Sequence, residues 1–96
     1  MEKLQPIHPS EILLEDFLKP MGISPEKLAR ELKISSETIN NIINKKQPIT
    51  ADIALRLARY FQMSPQFWLG LQMDYDLDLA EDTLREQINQ EVVILS

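Results

Sequence analysis

What most constrains this chain is its punctuation. Residues that start helices recur at short intervals: Ser10 after Pro9, Ser24 before Pro25, then Ser35, Thr50, and Ser64 before Pro65. A Ser or Thr cap accepts a hydrogen bond from an orphaned backbone N–H, and a proline at the first helical position forgoes an N–H the helix does not need. Between these marks apolar residues return at three- and four-residue spacing. Ile12, Leu13, Phe17 and Leu18 line the first segment, which is expected to stop at Lys19-Pro20, where proline removes a donor and clashes with the turn before it. Leu28, Ala29 and Leu32 line the second, and Ile39, Ile42 and Ile43 the third. The fourth carries Ile53, Ala54, Leu57, Ala58 and Phe61. A further helix starts at Ser64-Pro65, with a pattern running on through Tyr75, Leu77, Leu79, Ala80 and Leu84. The β-prone end, Val92 to Leu95, is left without an assigned conformation. Four or five short helices with a C-terminal extension make an all-α fold, packed as a small bundle.

Composition narrows the function. Ninety-six residues suit a single domain, 1–96. The absence of cysteine excludes disulfides, thiolate nucleophiles and Cys-ligated metals, and one histidine is too few for the usual His-rich sites. No metal or cofactor is therefore expected. His8, beside Pro9 before the first helix, reads as a local hydrogen-bonding or capping residue rather than a proton switch. No run approaches the roughly 20 apolar residues of a membrane span, and the N-terminus has neither the basic start nor the apolar stretch of a signal peptide. A cytoplasmic protein with no membrane partner is expected. Asp74, Asp76 and Asp78 alternate but do not converge on a helix, and no set of nucleophile, base and orienting group is evident, so an enzyme is not expected.

The net charge of −5 hides a partition. Residues 24–60 hold seven basic and four acidic side chains, whereas residues 61–96 hold one basic against seven acidic. A mildly basic middle followed by a strongly acidic third points to two surfaces with two kinds of partner; the competing reading is that the acids at 74–91 simply solvate a helix.

The middle reads as a helix-turn-helix over residues 24–44. Two short helices are joined through Lys33 to Ser35. Leu28, Leu32, Ile34, Ile39 and Ile42 form its core, with small Ala29 where the helices approach. The second helix turns Ser36, Glu37, Thr38, Asn40, Asn41 and Asn44 to solvent. Asparagine is a mediocre helix former, so three within five residues sacrifice propensity for side chains that both donate and accept. Asn pairs bidentately with adenine in the major groove, and Glu accepts from cytosine. Ser36, Glu37, Asn40 and Asn41 are assigned as base readers. Ser35, Thr38, Asn44, Lys45 and Lys46 are assigned to phosphate positioning. A plain helical hairpin with a solvated face is the competing reading.

The segment Leu28-Ala29-x-x-Leu32-x-Ile34-Ser35-x-x-Thr38-Ile39-x-x-Ile42 resembles the helix-turn-helix of lambda-repressor-like, or XRE-type, DNA-binding proteins. Outside it, Ile7 to Leu13, Ile49 to Ala58 and Ser64 to Leu77 are similar to HigA-type antitoxins, also called VapI-like proteins. The resemblance covers about residues 7–80. It implies a five-helix repressor-like domain over 7–71, with residues 72–96 as an acidic helical extension. It also implies a homodimer on palindromic operator DNA, repression of its own operon, and neutralisation of a small basic toxin that cleaves mRNA. By match it carries the reading role to Ser36, Glu37 and Asn41 and the cap to Ser35. Lys45 departs from the pattern, standing where many such proteins end the helix with glycine. Asn44 or a short continuation toward Pro48 is expected to end it here.

Phe67, Trp68, Leu71 and Tyr75 form an aromatic-rich stripe, assigned first to the core and otherwise to a dimer or toxin interface. The acidic 74–91 region is expected to face away from DNA and suits a basic toxin. Two rivals share the fold: a stand-alone XRE-type regulator without a toxin, and a protein-interaction module that has lost DNA binding.

Overall fold

Five helices follow the punctuation in the computed structural model, which describes residues 6–96. The N-terminal pattern that argues against a signal peptide includes residues 1–5, which lie outside that range. Pro9–Ile12, Leu13–Leu18 and Lys19–Met21 run on without a break as helix α1. Then come α2 (Pro25–Leu32), α3 (Ser36–Ile43), α4 (Ala51–Phe61) and α5 (Pro65–Glu91). Residues 92–96 carry no regular structure, so the β-prone end forms no strand.

Helix α1 does not stop at Pro20. Its middle, Leu13–Leu18, is wound as a π-helix, and the Lys19 N–H reaches back to the Leu14 carbonyl. The widened register ahead of Pro20 lets the chain pass through a residue with no N–H to place. The helix ends at Gly22, in the left-handed region at φ +65°.

The stops recur in one form. Ile23, Ile34, Lys46 and Met63 each donate a backbone bond to the carbonyl five residues back, on Leu18, Ala29, Asn41 and Ala58. The residue before each donor is left-handed: Gly22, Lys33, Lys45 and Gln62. Glycine suits that position, and a side chain there costs about 1–2 kcal/mol. Ile23, Ile34 and Met63 are apolar and pack against the core, as this motif favours. Lys46 is exposed instead. Helix α3 therefore ends with Asn44 as its cap and Lys45 itself in the position usually given to glycine.

One core joins Leu13 and Leu18 of α1, Leu28, Ala29 and Leu32 of α2, Ile39 and Ile42 of α3, Ile53, Ala54 and Leu57 of α4, and Trp68 of α5, with Ile49 from the loop before α4. Phe17 stacks near Phe61 and Trp68, at 4.9 and 5.1 Å between ring centres. Helix α5 packs on α4 and on the start of α1 through its first eleven residues, as far as Tyr75. At 27 residues it is about 40 Å long, and its remaining turns project from the body. The molecule measures 52 × 29 × 23 Å as a result. No helix among the described residues is long and apolar enough to cross a membrane.

Candidate nucleic-acid interface

The unit α2–turn–α3 is fixed at both starts by serine. Ser24 Oγ accepts from the Lys27 N–H at 3.1 Å, and Ser35 Oγ accepts from the Thr38 N–H at 3.1 Å. Leu28, Ala29, Leu32, Ile39 and Ile42 are buried, and half-buried Ile34 packs from the turn. Arg56 on α4 holds the junction from outside: its Nη1 donates to the Leu32 carbonyl at 2.7 Å, and its Nε to Asp52 at 2.6 Å. A guanidinium at a helix C-terminus satisfies an orphan carbonyl and opposes the negative end of the dipole.

With Ile39 and Ile42 turned inward and half-buried Ile43 packed beside them, the polar positions of α3 face out. Ser36, Glu37, Asn40 and Asn44 are exposed, Asn41 is half-buried, and Lys45 and Lys46 are exposed just beyond. Positions 36, 37, 40, 41 and 44 share one face of a helix. Three of the assigned residues are engaged locally. Ser35 and half-buried Thr38 join hydroxyls at 2.8 Å within the cap. Asn41 Nδ2 donates to Gln47 Oε1 at 3.4 Å, so the loop after the helix steadies this amide.

The recognition end is tied down by α1 and α5. Lys45 Nζ lies 3.2 Å from Glu11 Oε1. Glu11 Oε2 also accepts from the His8 N–H at 3.2 Å, and His8 Nδ1 accepts from the Ser10 N–H at 3.0 Å, so His8 and Glu11 cap α1 reciprocally. The His8 ring is buried edge-on against Tyr75, 4.8 Å between centres. Burial, then the nearby Lys45 ammonium, hold the imidazole below its ordinary pKa of 6.5, against the opposing pull of Glu11 and Asp76. From α5, buried Gln72 accepts from the Ile49 N–H at 2.8 Å and donates to Asp76 at 3.0 Å.

Sequence reasoning missed Gln72, Gln47, Glu11 and Arg56 as supports. Gln72 left a signal: it stands four residues after Trp68 on the inward face of α5, and a polar side chain there must find a partner. Asp52–Arg56 is readable as an i,i+4 pair, but the reach of Arg56 to Leu32 needs the tertiary fold.

The aromatic stripe divides. Trp68 is 0% exposed, so it has no surface to offer a partner. Leu71 packs half-buried against the core, Tyr75 is half-buried beside His8, and Phe67 keeps 40% of its surface exposed. The outward face of α5 instead carries exposed Leu69, Met73, Leu77, Leu84 and Ile88, the last three opposite Trp68 and Gln72. Asp74, Asp78, Glu81, Asp82 and Glu86 are exposed around it. Among the described residues no group of three or more His, Cys, Asp or Glu is placed to hold a metal.

A Helix-turn-helix family model matches residues 14–68. The chain is similar to Virulence-associated protein I of Dichelobacter nodosus, 51% identical over 83 residues that cover 86% of this chain and 76% of that one. It is 37% identical to Antitoxin HigA-1 of Vibrio cholerae over 75 residues, 78% of this chain and 70% of that one. Among solved structures it superposes on the Pseudomonas aeruginosa antitoxin HigA with the higBA promoter at a TM-score of 0.91 and 47% identity, covering 95% and 99% of the two chains.

Proposed function

The chain belongs to the HigA-type branch of the helix-turn-helix family, and on that premise we propose that it is an antitoxin that reads its own operator DNA with α3, represses its operon and neutralises a partner mRNA-cleaving toxin. The observation that carries this reading is the amide-rich outer face of α3, set on a rigidly packed helix whose inner face is wholly apolar. Ser36, Glu37, Asn40 and Asn41 read base edges; Ser35, Thr38, Asn44, Lys45 and Lys46 position the phosphates. The work is binding in the cytoplasm, not catalysis, and no cofactor takes part.

One short helix reads only a few base pairs, so the working unit is a homodimer, with recognition helices about 34 Å apart. Its seam is the outward stripe Leu69, Met73, Leu77, Leu84 and Ile88, which meets the same stripe of a second copy. These residues recur at four- and seven-residue steps, and from Leu77 on they lie over turns that have no body beneath them. The exposed acids around the stripe suit a basic toxin.

The test is fluorescence anisotropy on a duplex from upstream of the gene and on a scrambled duplex of equal length, with co-purification of the neighbouring gene product. Preferential binding to the upstream duplex and recovery of a small basic protein are expected. Equal binding to both duplexes contradicts sequence-specific reading; specific binding with no co-purified protein favours a stand-alone regulator.

A further inference from the structure

The ion pairs Glu15–Lys19, Asp52–Arg56 and Glu81–Arg85 each lie within one helix at i,i+4. Lys45–Glu11 differs, because it joins the exit of the recognition helix to the first turn of α1 across 34 residues of sequence. Both side chains are about half exposed, so the pair is open to exchange with solvent or with another anion. Lys45 also stands at φ +63°, where glycine is the usual residue. A charged side chain stands at a backbone position that disfavours any side chain, as Lys33 does at φ +61°, but Lys45 is the one placed to reach α1.

Resting on the DNA-binding reading above, we infer that Glu11 is an internal stand-in for a DNA phosphate: its carboxylate holds Lys45 in the free protein and yields it to the backbone when DNA docks. The carboxylate presents an anionic oxygen 3.2 Å from the ammonium, the role a phosphate oxygen plays in a bound duplex. Its other oxygen stays on the His8 N–H, so Glu11 keeps its place in the cap while Lys45 leaves. The pair lowers affinity for all duplexes alike, because a phosphate contact carries no base information. It thereby limits non-specific binding while leaving the choice of sequence to the amides of α3.

The test measures affinity for the upstream duplex and a scrambled duplex with Glu11→Gln, Glu11→Asp, Lys45→Gln and the double variant Glu11→Gln/Lys45→Gln. Glutamine keeps an acceptor for the His8 N–H, and aspartate keeps the charge but is one methylene short of Lys45. Each single Glu11 variant is expected to tighten both duplexes by about two- to fivefold, the size of an exposed ion pair. Lys45→Gln is expected to weaken both, and Glu11→Gln to have no effect on top of it. Thermal melts establish that each variant is folded. Three results overturn the inference: Glu11 variants that lower the melting temperature without tightening DNA, which makes the pair purely structural; the same gain in the Lys45→Gln background; or a gain with Gln but none with Asp, either of which leaves only the general field of one carboxylate. If Lys45→Gln weakens binding while neither Glu11 variant changes it, the DNA reading stands and the role of Glu11 falls. If Lys45→Gln changes nothing, the phosphate role of Lys45 falls with it.

Discussion

Helices α3 and α5 expose opposite kinds of surface for opposite reasons. Helix α3 is eight residues long, clamped by neighbours, and turns amides outward. Helix α5 is 27 residues long, held as far as Tyr75, and turns Leu77, Leu84 and Ile88 outward beyond it. A short helix that buries its apolar face and displays Asn is built to present hydrogen bonds at fixed positions, which suits base edges. A long helix that leaves apolar residues exposed on unsupported turns suits another protein surface. Under the proposed function, the exposed amides of α3 and the exposed apolar residues of α5 thus separate a DNA surface from a protein surface within one small molecule.

Truncating leucines in the two regions should sharpen that contrast most. Leu28→Ala removes a fully buried side chain and is expected to cost about 2–5 kcal/mol in chemical denaturation, if the chain folds at all. Leu84→Ala removes an exposed one and should leave monomer stability within about 0.5 kcal/mol. Equal costs would mean that the end of α5 is already packed on the body.

The next largest effect falls on assembly. Leu77→Glu with Leu84→Glu places charge in the proposed seam. Sedimentation should show monomers, and operator affinity should fall about a hundredfold or more as two linked contacts become one. A variant that remains dimeric would move the seam elsewhere.

The smallest effect lies between the two regions, at His8. Its folded pKa is lowered, so the stability it contributes is complete above 6.5 and is lost as pH falls from 6.5 through the folded value. Protonated Nδ1 no longer accepts from Ser10, and a lost cap is worth about 1 kcal/mol. Melting temperature should fall over that range, and less so in His8→Asn, whose side chain caps without titrating. An identical pH slope in both proteins would remove His8 from the junction.

Much of this was legible because capping and periodicity are local. Ser24, Ser35, Thr50 and Ser64 cap the helices that the sequence assigned them, and the inward faces of α2 and α3 are the apolar positions read from spacing. Pro20 misled because a π-turn, invisible in residue type, carries the helix past it. The stops at Lys33 and Asn44 were legible as breaks in the pattern, but the left-handed backbone of Lys33, Lys45 and Gln62 was not, because none of them is glycine. The supports of the interface lay beyond local reasoning: Lys45–Glu11 and Gln72–Ile49 join residues 34 and 23 positions apart. The aromatic stripe of α5 stays open between core and interface in the sequence, because it looks the same whether it meets the body or a partner; burial places Trp68 in the core, the first of the two readings.

The most direct measurement compares Asn41→Ala and Lys45→Ala with the parent on operator duplexes carrying single base-pair changes. If α3 reads bases, Asn41→Ala should lose about 1–3 kcal/mol on the operator and relax discrimination at one position, while Lys45→Ala weakens every duplex alike and lowers the salt slope by about one. An Asn41→Ala protein with parental affinity and parental discrimination would contradict a reading surface on α3.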